Sequence, residues 1–316
     1  MGFKGKITLV KRWMKMAVGR NSVAVKQGIG KCYSIDDIEG YYNDLTGKIS
    51  DNTLLDENGI PVNIIEGNKK VYFPISIFQY ALGLWDLYLM SKEDEYKNHF
   101  LKICNWVLEN QKEDGSWDCF SPIGYKKLTV SSMGQGEAVS VLIRAYKLTG
   151  EEEWLYSSKK AINFMITEVK DGGTMKKDDD NTVFEEYAGI DSDKKSVLNG
   201  WIFSLFGIYD YLKVVKDETI YQIFTNSVNS LVNNLQYYDC GYWSLYDRNG
   251  RLASPAYHDL HIALLNAMYT ITGYKQFLNY AQKWEKYKNS RIGKLKAFFM
   301  KIVQKLGDNP EGIVVQ

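Results

Sequence analysis

From residue 74 to about 287 the apolar positions recur mostly every three to four residues, the period of helices that bury one stripe. Pro74–Ser91 opens with a proline suited to a first helical turn and lines up Ile77, Tyr80, Ala81, Leu84, Trp85 and Tyr88 on one face. Glu95–Gln111 follows with Phe100, Ile103, Cys104 and Val107, and the same pattern predicts helices over 133–149, 152–168, 196–215, 217–235, 258–272 and 274–288. These eight helices form pairs joined by short links. After the second helix of the first three pairs comes a turn: Asp114-Gly115-Ser116-Trp117, Asp171-Gly172-Gly173-Thr174 and Asp239-Cys240-Gly241-Tyr242-Trp243, each followed by residues that look extended. Spacings of 57 and 68 residues mark a degenerate repeat of helix, helix, turn and short hairpin. One pair cannot cover its own apolar face, so the pairs must stack or close into a ring. The predicted fold is mainly α, an incomplete α/α toroid of about four helix pairs with short β-hairpins. A superhelical solenoid is the alternative.

The flanks differ from this body. Residues 32–73 read as a small N-terminal β extension, with short strands and turns around Gly40–Asp44, Asp51-Asn52, Glu57–Asn63 and Ile64–Tyr72, and with Asn58-Gly59 as a hairpin turn. The expected organisation is a basic amphipathic segment 1–31, the extension 32–73, the toroid 74–290 and a basic amphipathic helix and tail 291–316. Charge follows these divisions. Residues 1–31 hold eight Lys/Arg and no acid, and 283–306 hold eight against Glu285 alone, whereas 32–282 carries a net −12. Ile292, Leu295, Phe298, Phe299, Ile302, Val303 and Leu306 recur at helical spacing between lysines, as do Ile7, Leu9, Val10, Trp13, Met14 and Ala17. Such segments either lie in an anionic membrane interface or pack their apolar faces onto the body, and the periodicity serves both. The acidic body argues against a nucleic-acid partner, because it would repel phosphates.

Composition narrows the chemistry. Aromatic content is 14%, with 23 Tyr and 8 Trp, side chains that fill helix interfaces and also stack on sugar rings. Cys32, Cys104, Cys119 and Cys240 show no CxxC spacing, and His99, His258 and His261 are the only histidines, so no metal site is expected. Reduced thiols, no membrane-spanning run and no signal-peptide pattern lead to the expectation of a cytoplasmic protein, with peripheral contact at the inner membrane face through the basic ends as an open option. A homodimer is equally open.

The candidate chemistry lies in two clusters. Phe184-Glu185-Glu186-Tyr187 sets carboxylates beside a phenol in a loop between helix pairs, ahead of Val197-Leu198-Asn199-Gly200. A glutamate desolvated by aromatic neighbours can act as a general base; the alternative is a solvated or helix-capping carboxylate. Some seventy residues on, Tyr246 lies in a hairpin and Tyr257 just before a helix carrying His258 and His261, which share a face; two such ligands make no metal site, and the residues themselves favour neutral hydrogen-bonding roles. Arg144 can pair with a substrate carboxylate or form a structural ion pair, and Gln135-Gly136 offers an amide and close backbone approach to a sugar.

Several segments in this order resemble the C-terminal helical domain of the D-glucuronyl C5-epimerase family. They are Tyr72–Gly83 (YFPISIFQYALG), Met133-Gly134-Gln135-Gly136 with Arg144-Ala145-Tyr146, Glu185-Glu186-Tyr187, Val197–Gly200 with Leu205–Asp210, Tyr246-Asp247 and Tyr257 to His261, covering roughly residues 70–288. The resemblance implies a cofactor-independent conversion of D-glucuronate to L-iduronate residues in a polysaccharide. It implies that Glu186, Tyr187, Tyr246 and Tyr257 are catalytic, and that Gln135, Arg144, Asn199, His258 and His261 bind substrate. Glu186 would serve one face of the sugar and Tyr257 the other, with Tyr187 and Tyr246 positioning the ring or stabilising charge. The expected partner is a uronate-containing polysaccharide or lipid-linked glycan. Animal members carry a large β domain ahead of the helical one, while this chain has only about seventy residues there, and Ala256 stands where an acidic residue is expected in them. Together with the acidic body, this favours an unsulfated uronate polymer.

Three rival readings use the same residues. A polysaccharide lyase shares the first proton abstraction and then expels the glycosidic oxygen. A non-catalytic glycan-binding protein keeps the fold alone. A glycoside hydrolase needs Glu186 paired with Asp247 or Asp118 at about 5–10 Å.

Overall fold

The computed structural model describes residues 25–178, 181–189 and 195–307. The amphipathic segment expected within 1–31 lies outside them up to residue 24, as does the tail after 307. Among the described residues nine α-helices occur, the first eight alternating between two layers: α1 (Pro74–Ser91), α2 (Asp94–Glu109), α3 (Ser132–Thr149), α4 (Glu152–Met165), α5 (Leu198–Val214), α6 (Glu218–Asn234), α7 (Pro255–Thr272), α8 (Lys275–Asn289) and α9 (Arg291–Gly307). The inner helices α1, α3, α5 and α7 are buried nearly all round. Every residue of α3 from Ser132 to Ala145 is buried, and in α5 every residue from Leu198 to Ile208. The outer helices bury a single stripe, for example Phe100, Ile103, Cys104 and Val107 in α2, or Phe277, Ala281 and Trp284 in α8.

The inner layer runs as an arc in which α1 packs on α3, α3 on α5 and α5 on α7. Its two end helices share at most a grazing contact among the described residues, so the arrangement is an incomplete α/α toroid. The closest crossing is at Gly136 and Gly207. A Cβ on Gly136 would lie 2.6 Å from Phe203 O, and one on Gly207 would lie 2.3 Å from Gly136 O. Gly136 therefore serves helix packing and not close approach to a sugar.

Short antiparallel hairpins punctuate the pairs. β1 (Asn63–Ile65) pairs with β2 (Lys69–Val71), and β3 (Met175–Asp178) with β4 (Asn181–Phe184), in register Met175 to Phe184. Around Asn58-Gly59 a single antiparallel bridge joins Leu55 to Pro61, with Gly59 at φ 79°.

The extension is not a separate layer. Tyr41, Tyr42 and Leu45 belong to the same hydrophobic core as the helices. Tyr42 donates a 2.6 Å hydrogen bond to Asp210 on α5, and Tyr41 N–H donates to Asp86 on α1 at 2.8 Å.

Candidate active site

The β3–β4 hairpin delivers Glu185, Glu186 and Tyr187 to the N-termini of α3 and α5. Successive residues at the end of an extended strand point opposite ways, and the two glutamates divide accordingly. Glu185 is clamped on every side. Its N–H donates to Thr174 O (2.9 Å), its carbonyl accepts from Ser132 N–H (3.2 Å), and its carboxylate accepts from Ser196 N–H (2.6 Å) and Oγ (3.4 Å). Burial raises its pKa, and the bonds from Ser196 oppose that rise. Glu185 is a joint holding the hairpin to the start of α5.

Glu186 turns the other way and is only 5% exposed. Its Oε1 accepts from Tyr246 Oη at 3.3 Å and its Oε2 from Asn199 Nδ2 at 3.3 Å. Asn199 Nδ2 also faces Met133 Sδ at 3.7 Å, while its Oδ1 is buried without a partner. The side chain of Glu186 rests against Gly200: a Cβ there would come within 2.5 Å of both Glu186 Cβ and Oε2. The Asn199-Gly200 dipeptide thus supplies one donor to the carboxylate and the room in which it sits.

Three phenols surround this carboxylate. Tyr187 stacks face to face on Phe120 (4.8 Å, 5°), with Tyr125 at 6.0 Å. Tyr246 comes from the hairpin between α6 and α7, whose backbone is fixed by Tyr246 N–H to Arg251 O (2.6 Å) and Leu198 N–H to Tyr246 O (3.1 Å). Tyr257 packs edge-on against Tyr246 at 5.0 Å. The hydroxyl of Tyr246 is within hydrogen-bonding reach of those of Tyr187 and Tyr257. Burial, then the Glu186 charge, pushes the pKa values of all three phenols upward, so they stay protonated. Tyr257 leaves 40% of its surface to solvent, yet its hydroxyl end lies in the cluster.

Tyr257 lies inside α7 and not ahead of it. Ser254 caps the helix by accepting from Tyr257 N–H (3.2 Å), and Pro255 takes the first helical position. Tyr257 and His261 therefore fall one turn apart, with ring centroids at 6.5 Å.

Three residues expected to bind substrate, Arg144, His258 and His261, are held by protein partners. Arg144 is fully buried on α3, where Nη1 donates to Asp210 Oδ2 (2.6 Å) and Ser140 O (2.9 Å), Nε to Glu39 O (3.1 Å) and Nη2 to Gly40 O (2.9 Å). Its partners leave no face for a sugar carboxylate; it is the structural ion pair, made with Asp210. His258 and His261 are fully buried behind Tyr257, and both place Nδ1 on Ser244 Oγ (2.8 and 3.0 Å). His258 Nε2 reaches Trp284 O at 3.1 Å, and its ring stacks on Trp243 at 3.7 Å. Burial lowers their pKa values to about 4 and about 3, so they hold the α7–α8 pair and hairpin as neutral groups. Gln135 is buried in the first turn of α3, with both Oε1 and Nε2 of its amide lacking a hydrogen-bond partner.

Further charged groups lie in the interior, among them Glu137, which is not the partner of Arg144. Glu137, fully buried, accepts from Gln79 Nε2 at 2.9 Å and is pushed up to about 8, mainly by burial, with Lys48 opposing and Glu186 adding to the rise. Lys48, from the extension, lies close enough to feel Glu137, and burial lowers its pKa. A lone glutamate within the apolar run Ala138–Ile143 and its flanks was the available signal. A groove of about 410 Å³ is lined by Lys69, Tyr72, Trp106, Lys112, Trp117 and Asp118, among others; Glu186 and the three phenols do not line it, and Ser121 on its wall follows Phe120, which stacks on Tyr187. Tyr72 and Trp106 face each other across 5.9 Å.

Residues 111–286, the stretch that supplies all of Glu186, Tyr187, Tyr246 and Tyr257, match the family profile described as D-glucuronyl C5-epimerase C-terminus. The chain belongs to the D-glucuronyl C5-epimerase family. It is 28% identical over 222 residues to the D-glucuronyl C5-epimerase of Caenorhabditis elegans, covering 62% of this chain and 36% of that one. It is 30% identical over 154 residues to an uncharacterised protein of Methanocaldococcus jannaschii, covering 48% and 49%. The matches thus span about a third to a half of these relatives' length. Among solved structures, a glycoside hydrolase family 76 mannosidase from Bacteroides thetaiotaomicron superposes with a TM-score of 0.50 at 12% identity, covering 87% of this chain and 84% of that one. That likeness is one of fold.

Proposed function

We propose that this family member is a carbohydrate epimerase that inverts C5 of D-glucuronate residues in a polysaccharide or lipid-linked glycan. The observation that carries the reading is the Tyr246 hydroxyl, bonded to Glu186 and within reach of Tyr257. The C5 hydrogen is weakly acidic because the carbanion delocalises into the adjacent carboxylate. Glu186, with both oxygens held by neutral donors, takes that proton. The electron pair moves into the sugar carboxylate as an enolate-like dianion. Tyr257, kept protonated by burial, delivers its proton to C5 from the opposite face. This leaves Glu186 protonated and Tyr257 ionised, and a shift through Tyr246 restores both. Asn199 and the phenol dipoles steady the charge as it moves.

The groove that Ser121 lines suits more distant sugars of the chain, with Trp106 and Tyr72 as stacking surfaces and Lys69 and Lys112 opposite their carboxylates. The hydrolase reading loses its second carboxylate, because Asp247 is occupied by Arg251 (3.2 Å) and turn N–H groups, and Asp118 caps Ser121 N–H (3.0 Å).

The test is proton NMR of a glucuronate polymer incubated with the protein in deuterated water. Deuterium at C5 with new iduronate signals supports the proposal. An unsaturated product absorbing in the ultraviolet would make the protein a lyase, and absence of exchange across unsulfated uronate polymers would reject proton abstraction altogether.

A further inference from the structure

Helix α9 is oriented against the usual rule for a surface helix. The side it turns to the body is small or polar: Gly293, Ala297 and Lys301 are buried there. Lys301 Nζ donates to Leu252 O, and Gln304 binds Leu252 N–H and Gly250 O, both at 2.9 Å. The opposite side is apolar and open. Ile292 is 81% exposed, Leu295 58%, Phe299 59% and Val303 63%, at spacings of three, four and four residues. Exposed Arg291, Lys294 and Lys296 flank this stripe, and no acidic residue occurs over 291–304. Lys296 also lies 4.2 Å over the Tyr242 ring, fixing the helix to the hairpin beneath it.

A soluble protein rarely leaves four large apolar side chains in a row on one helix face without a partner. The charge pattern selects that partner. A second copy would bring two all-basic flanks together, whereas an anionic leaflet neutralises them, and the −12 of residues 32–282 keeps that acidic body off the surface. No described helix is long and apolar enough to cross a membrane, so the contact is one of lying on it. We infer that α9 docks on an anionic bilayer surface, with Ile292, Leu295, Phe299 and Val303 among the acyl chains and the basic residues at the headgroups. Because α9 holds the hairpin that carries Tyr246, docking also sets how the candidate active site faces the membrane.

The experiment is co-sedimentation of the full chain with phosphatidylcholine vesicles, with and without phosphatidylglycerol, for the natural protein and Leu295→Glu/Phe299→Glu. The expected result is salt-sensitive binding to the anionic vesicles that the double variant weakens at least about tenfold, with unchanged Tm because both positions are exposed. Equal binding by the variant would overturn the inference, as would absence of binding. So would a dimer in sedimentation equilibrium that the double variant dissolves, since that would assign the stripe to a second copy.

Discussion

Two polar clusters sit among the inner helices, and they are built differently. Around Arg144 every nitrogen of the guanidinium has a partner, the ion pair to Asp210 is 2.6 Å long, and the segment Glu39–Tyr42 seals it. Around Glu186 the bonds from Tyr246 and Asn199 are 3.3 Å long, both of these donors are neutral, and the Asn199 amide oxygen has no partner. In the first arrangement the guanidinium itself is saturated and fixes the fold. The second is looser and leaves polar capacity for another molecule.

Opposite responses to mutation would sharpen this contrast. Glu186→Gln should cut C5 exchange by about 10²–10⁴-fold while leaving Tm unchanged. Arg144→Met should do the reverse, lowering stability by about 3–5 kcal/mol through the buried Asp210 carboxylate it strands, as urea unfolding would measure. Loss of activity at unchanged stability in Arg144→Met would break the comparison.

Gly200→Ala tests whether the looser cluster still depends on fit. The added methyl meets the Glu186 side chain at 2.5 Å, so activity should fall about tenfold to a hundredfold with a stability loss of about 1–3 kcal/mol. Glu137→Gln separates burial from catalysis. The folded-state pKa of Glu137 is about 8, above its ordinary 4.5, so the folded protein favours the protonated acid and loses stability as pH rises from 4.5 to 8. The glutamine variant lacks that loss. Its stability relative to the natural protein should be near parity at pH 4.5 and about 1–3 kcal/mol greater at pH 9, by thermal unfolding. Trp106→Ala should have the smallest effect, raising KM severalfold with kcat unchanged, for a loss of about 1 kcal/mol in binding.

Much of this was legible in the chain. The 3.6 period marked the helices, because an outer helix must bury one stripe, and the Asp-Gly turns marked the ends of the pairs. Glu186, Tyr187, Tyr246, Tyr257 and Asn199 come together in the fold although they span about seventy residues. The residues alone allow Arg144 a structural ion pair and the histidines neutral hydrogen bonds, but the partners are remote in sequence: Asp210 lies 66 positions beyond Arg144, and Ser244 reaches both rings from a hairpin. The apolar period points to a start of α7 at residue 258, three residues inside its true start, because the period becomes clear only after the Ser254-Pro255 cap. The exposed apolar side of α9 could not be read from its periodicity, which shows a stripe but not which way it faces.

The neighbours Glu185 and Glu186 give the most direct test, because they share chemistry, sequence context and burial and differ only in what they face. The measurement is C5 hydrogen–deuterium exchange on a glucuronate polymer by Glu185→Gln and Glu186→Gln side by side, with Tm recorded for each. The account predicts that Glu186→Gln keeps its Tm and loses exchange, while Glu185→Gln loses stability and keeps exchange within about tenfold of the natural protein. Exchange at the natural rate by Glu186→Gln would contradict it.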